Sequence, residues 1–91
     1  MTLVVAKKEK DGELVEIEVH SAKSLPQIIS IDEAVRRIEG GETMVVKSIY
    51  NGVVHVIVSE RNGKKYIKTM KDNTITDDLS QLPNINQHRT F

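Results

Sequence analysis

The chain has 91 residues, no cysteine and a formal charge of zero, 13 basic against 13 acidic side chains. That length gives one small domain, and the lack of cysteine excludes disulfides, thiolate metal sites and cysteine nucleophiles. Balanced charge supplies no global field to draw nucleic acid or an anionic membrane. Hydrophobic residues make up 38% and aromatics 3%, so valine, isoleucine and leucine must build the core. A core that small makes a homo-oligomer a reasonable expectation. Nothing approaches the ~20 apolar residues of a bilayer span, and the apolar run near the N-terminus is too short for a signal peptide. The expected location is cytoplasmic, or the host cytoplasm for a viral protein.

In chain order, residues 2–6 and 14–20 read as a first hairpin, with Asp11-Gly12 as the turn signal in a 7–13 loop. Val15, Ile17 and Val19 alternate with Glu16, Glu18 and His20, the period of a half-buried antiparallel strand. Lys7, Lys8 and Lys10 face Glu13, Glu16 and Glu18 on a solvated side, where such pairs contribute only ~0.2–1 kcal/mol. Residues 21–29 form a connector. Ser30-Ile31-Asp32-Glu33 then opens a helix as a capping box. Ile31, Ala34, Val35 and Ile38 make its apolar stripe, and Gly40-Gly41 ends it. About nine residues are too few for a free-standing helix, so it must lie on a sheet.

Residues 43–50, 53–60 and 64–70 read as a three-stranded meander turned by Asn51-Gly52 and Asn62-Gly63. If both loops hold two residues, Tyr50 faces Val53, Val46 faces Ile57 and Val45 faces Val58. Arg61 then faces Lys64, Ser59 faces Tyr66 and Val58 faces Ile67. The expected core face carries Val45, Ile49, Val54, Val56, Val58 and Ile67. The other face mixes Met44, Val46, Val53, Ile57 and Met70 with polar groups, too apolar for ordinary solvent and too polar for a closed core. After Met70 the chain turns polar. Asp78 to Pro83 offers two leucines and a stop, and 84–91, without periodicity, reads as a flexible tail after a single domain at 1–83. The expected fold is α+β, in the order ββαβββ: a curved antiparallel sheet with one short helix packed on one face.

Several stretches together resemble a known family. They are Asp32-Glu33-Ala34-Val35, Ile38-Glu39-Gly40-Gly41, the run from Asn62 to Thr69, Asp72, and Asp78-Leu79 with Leu82-Pro83. The resemblance is to the small bacterial and viral family catalogued as domain of unknown function 3892, and it covers about residues 14–83. It implies a lone domain of this size with an early strand pair, a helix and a valine-rich hairpin. It implies no activity. Asp78 stands where that family tends to have asparagine.

The mixed face holds the candidate site: Tyr50, His55, Arg61, Lys64, Tyr66 and Lys68. Cations beside aromatic rings suit phosphates and bases, while lysines on an outer strand also blunt aggregation. His20, His55 and His88 lie in separate segments without ligand spacing, so no metal is expected. Asp72, Asp77 and Asp78 suit a divalent cation or an acid–base pair, yet such residues are more often turn formers. No catalytic residue and no cofactor is expected. The function read from the sequence is a small non-enzymatic binding module whose partner is a protein or a second copy of the chain, joined through Met44, Val46, Ile57 and Met70. A sequestering or sensing protein for a phosphorylated small molecule is the alternative, and a nucleic-acid binder the third reading.

Overall fold

A computed structural model describes residues 1–85. Three turns in it hold two consecutive residues at positive φ: Asp11-Gly12 (53° and 80°), Asn62-Gly63 (53° and 78°) and Asp72-Asn73 (52° and 66°). That is the type I′ geometry whose twist matches the flanking strands, and Asp and Asn tolerate it better than other side chains. The first turn joins β1 (Thr2–Lys10) to β2 (Glu13–Ser21), the second β5 (Gly52–Arg61) to β6 (Lys64–Lys71), and the third β6 to β7 (Thr74–Thr76). Between them lie β3 (Gln27–Ser30), α1 (Ile31–Glu39) and β4 (Met44–Ser48).

The fold is α+β, mostly sheet with one short helix, but the expected ββαβββ antiparallel order is corrected. Seven strands form a mixed sheet in the order β3-β2-β1-β4-β5-β6-β7. The connector contains β3, which pairs with Glu16–Val19 of β2, and β7 follows the Asp72-Asn73 turn. β1 and β4 run parallel, Thr2 beside Met44 and Leu3 beside Val45. A parallel neighbour requires a crossover, and here β2, β3 and α1 supply it. The first turn is also tighter than the expected 7–13 loop, since Lys10 pairs directly with Glu13.

Of the two meander turns, only Asn62-Gly63 keeps its expected register, with Arg61 opposite Lys64 and Val58 opposite Ile67. The other takes three residues, Ile49-Tyr50-Asn51, because the Ser48 hydroxyl accepts from the amides of Tyr50 (3.1 Å) and Asn51 (3.0 Å). Val46 therefore faces Val54, and Val45 faces His55. The displacement is odd, so it turns β4 over. Met44 and Val46 are buried beside Val54 and Val56 in the core, while Ile49, expected inside, is 88% exposed. Val45 points to the other face, where it is nonetheless buried.

β1 contains a similar inversion. Its register slips between Val4 and Ala6, a bulge at Val5 that changes which face the later residues occupy. Lys7 thus falls opposite Ile17 and is buried, its Nζ donating to the Ser80 carbonyl (2.7 Å) and lying 3.2 Å from Glu9. Glu18 is buried as well. The expected solvated row survives only as Lys8 with Glu16 and Lys10 with Glu13. The Lys7 amide donates to the Pro83 carbonyl (3.0 Å), Asn84 bridges to Lys7, and Ile85 is buried. The rest of the expected tail, 86–91, lies outside the described residues.

The helix forms where its sequence asks. The Glu33 amide donates to Ser30 Oγ (3.1 Å), but the box is not reciprocated: the Glu33 carboxylate takes Arg36 and, at 3.0 Å, Arg37. At the far end Glu42 N bonds Arg37 O, and Gly41 N bonds Ile38 O with Gly41 at φ 106°. That left-handed stop suits glycine. Ala34 and Val35 enter the core. α1 packs on β2, β3, β5 and β6, although β2 and β6 stand four strands apart, about 19 Å in a flat sheet. The sheet must therefore curl around the helix, leaving an open side between its two ends. No described helix is long and apolar enough to cross a membrane.

Candidate functional site

Strand alternation on β5 and β6 sorts the candidate residues. His55 pairs with Met70, Ile57 with Lys68, Ser59 with Tyr66, and Arg61 with Lys64, and these eight side chains share the outer face, away from α1. Five of the six residues singled out from the sequence, His55, Arg61, Lys64, Tyr66 and Lys68, therefore lie on one surface. Tyr50 does not join them. It is 76% exposed in the three-residue turn at the far end of β5, a strand of ten residues and about 30 Å of length.

The outer face is both apolar and cationic. Ile57 and Met70 are half-buried, and Ile75 on β7, opposite Met70, is 51% exposed. Toward the Asn62-Gly63 turn, Tyr66 lies among Ser59, Lys68 and Arg61. A hydrogen bond with Ser59, together with those two cations, holds its phenol below the usual range. Met44 and Val46, expected at a subunit interface, are core residues and cannot reach a partner.

Beside the hairpin tip lies a cleft of about 880 Å³ between β6, the start of β2 and the start of α1. Leu14, Ile31 and Ile67 form its apolar floor, and Arg61, Lys64 and Lys65 line it together with the acidic Glu13 and Asp32. Lys64 reaches Glu13 across it at 3.6 Å, and Lys65 bonds Glu39 at 2.7 Å, which holds the lysine ammonium above its usual range.

Sequence reasoning missed the role of Asp78. Its two neighbours in the acidic cluster go separate ways: Asp72 forms the turn before β7, and the Asp77 carbonyl accepts from Ser80 Oγ at 3.0 Å. Asp78 is 4% exposed. The Ser48 and Thr76 hydroxyls, then the Asn51 amide and the Lys71 charge, hold its carboxyl below the usual range. Asn51 Nδ2 stands 3.3 Å from one carboxylate oxygen, and the Asp78 amide donates to Thr69 Oγ1 at 3.2 Å. The Lys71 ammonium donates to the Asn51 carbonyl. This carboxylate pins the Ile49–Asn51 turn to β6 and β7. Among the described residues no three of His, Asp and Glu gather as they would around a metal ion. His20 lies 2.9 Å from Glu18, and His88 is outside the described residues.

The model of the family described as protein of unknown function (DUF3892) matches residues 3–83. The chain belongs to that family. Neither the curated proteins nor the solved structures supply a match. In this DUF3892 chain, several stretches that carry the resemblance turn out to be scaffold. Ala34, Val35, Ile67 and Leu79 are core, Thr69 and Asp78 are the buried polar tie, and Leu82 packs at the core margin. Lys64, Lys65, Tyr66 and Lys68 remain accessible.

Proposed function

We propose that this protein is a non-enzymatic interaction module that engages a protein partner through the outer face of β5, β6 and β7. One observation carries the reading: Ile57, Met70 and Ile75 form an apolar strip there, with Val53 and Ile75 each 51% exposed, on the side opposite the helix. The face is also charged unequally along its length. Arg61 and Lys64 stand at one end and Asp72 at the other, all exposed. Two copies related by a two-fold axis with their strands antiparallel bring each basic end onto the partner's acidic end, so a second copy is the favoured occupant. The non-enzymatic reading draws support from Asp78, whose carboxylate is engaged in holding a turn.

Sedimentation velocity across a concentration series tests this. The wild type should dimerise, and Ile75→Asp should give a monomer with unchanged thermal unfolding, since the side chain is half exposed. A wild-type monomer at every concentration would remove the self-association reading. The arrangement of Tyr66, Lys68 and Arg61 favours a second reading, an anionic ligand stacked on the ring. A thermal shift with a nucleoside diphosphate that Lys68→Ala and Tyr66→Ala both abolish would move the assignment there.

A further inference from the structure

The open side of the curled sheet is bounded by two incomplete strand edges. β7 pairs only with Thr69, Met70 and Lys71 of β6, so among the described residues the edge of β6 from Lys64 to Lys68 has no strand beside it. In an antiparallel ladder alternate residues turn their N–H and C=O groups to the same neighbour. The two-residue turn makes Arg61 and Lys64 a bonded pair, which directs Lys64, Tyr66 and Lys68 toward β5. The amide and carbonyl groups of Lys65 and Ile67 therefore point outward, beyond the end of β7. Across the cleft, β3 pairs with Glu16–Val19 alone, and Glu13, Leu14 and Val15 of β2 carry the second open edge. Lys10 and Glu13 close the first turn as a bonded pair, so Leu14 also turns its backbone groups away from β1. Among the described residues no backbone hydrogen bond crosses the cleft; the Lys64–Glu13 ion pair is what spans it.

We propose that this cleft is a strand-addition site: an extended peptide with alternating apolar and acidic side chains lies along β6 and bonds the backbones of Lys65 and Ile67. This goes beyond the interface proposed for the outer face, with which it shares Arg61 and Lys64 at the hairpin tip but not the apolar strip of Ile57, Met70 and Ile75. The occupant follows from three matched features. Outward amide and carbonyl groups two residues apart, roughly 7 Å, repeat at the spacing of a polypeptide strand, and no nucleotide or single anion reproduces it. Alternate side chains of such a strand point toward the floor made by Leu14, Ile31 and Ile67, which takes apolar groups. The intervening ones point outward beside Arg61, Lys64 and Lys68, which favours carboxylates. Those same lysines oppose edge-to-edge pairing of two copies through this strand, because like charges would meet. A cleft of about 880 Å³ falls in the size range of sites that enclose a small ligand or short peptide segment.

The test uses the full chain, isotope-labelled, titrated with a synthetic peptide of about eight residues alternating valine and glutamate and followed by amide NMR. Expected are saturable shifts at Leu14, Lys65 and Ile67, with slowed hydrogen exchange at the Lys65 and Ile67 amides. The same peptide N-methylated on the strand-facing nitrogens should bind roughly 3- to 10-fold more weakly for each bond lost. Replacing glutamate by lysine should weaken it further, and Lys65→Pro, which removes an outward donor from an edge position, should weaken the parent peptide in the same range. Equal binding of the methylated peptide would overturn the proposal, as would shifts confined to His55, Ile57 and Met70 on the outer face. No saturable shift with the parent peptide would overturn it too. None of these results depends on Ile75→Asp, so this site and the outer-face interface fail separately.

Discussion

At the scale of single residues, Asp78 is the side chain on which most polar structure converges. Its partners Ser48 and Asn51 come from one turn, Thr69, Lys71 and Thr76 from the β6–β7 hairpin. None is near it in the chain except Thr76, so the sequence showed an acidic loop and no more. The Ser30 cap, by contrast, was legible because donor and acceptor lie three residues apart. Asp78 also sets an expected pH dependence. Its folded pKa is depressed below the ordinary 3.8, so the unfolded chain binds the extra proton. The stabilisation is therefore full above the unfolded value and is lost as pH falls through the folded one. Melting curves recorded from neutral to strongly acid pH should show a steeper acid loss for wild type than for Asp78→Asn. Asp78→Asn should also be less stable at neutral pH, by about 1–3 kcal/mol. Glu33, also depressed but only half-buried beside Arg37 and Arg36, should matter far less, since solvent and salt screen such pairs. An unchanged acid limb in Asp78→Asn would mean the carboxylate stabilises nothing.

At the scale of elements, the contrast between two Asn-Gly turns explains what could be read and what could not. Asn62-Gly63 closes on itself with both residues at positive φ, and the register of β5 on β6 followed from the sequence. Asn51-Gly52 looks identical locally, but only Gly52 is left-handed, at 70°, and it begins β5. The Ser48 hydroxyl, itself tied to Asp78, adds a residue to the turn. A hydroxyl engaged from 30 residues downstream leaves no local trace, so β4 was assigned the wrong face. β7 was missed for another reason, since Asp72-Asn73 lacks the glycine that usually marks a tight turn, although both residues tolerate positive φ. The face assignment has a direct check. Met44→Asp should abolish the cooperative melt, because it puts an unpaired charge where an apolar side chain contributes ~1.5–3 kcal/mol by burial. Ile49→Asp should melt like wild type. The opposite pattern would restore the two-residue turn.

At the scale of the whole molecule, the parallel contact between β1 and β4 was beyond the sequence because it joins segments some 40 residues apart through two residue pairs, Thr2 with Met44 and Leu3 with Val45. After Leu3 the two strands stop pairing. The C-terminal segment then supplies β1 with its neighbour: the Lys7 amide donates to Pro83 O, and Lys7 Nζ donates to Ser80 O. A buried lysine in place of a surface one, put there by the Val5 bulge, thus fastens the last described residues to the first strand. Leu79 enters the core from this segment and Leu82 packs against it, so the fastening also keeps the helix side of the sheet covered. Lys7→Met keeps the apolar stem and removes the ammonium, and should destabilise the protein by about 1–3 kcal/mol through the charge-assisted bond it loses. The loss should be uneven. The Lys7 amide, protected by Pro83, should exchange faster, while amides paired between β5 and β6 keep most of their protection, because opening a terminal segment requires less than global unfolding. Uniform loss of protection across both sets would show instead that the segment opens only with the core. Unchanged exchange at Lys7 would show that the backbone bonds and Leu79 hold it without the ammonium.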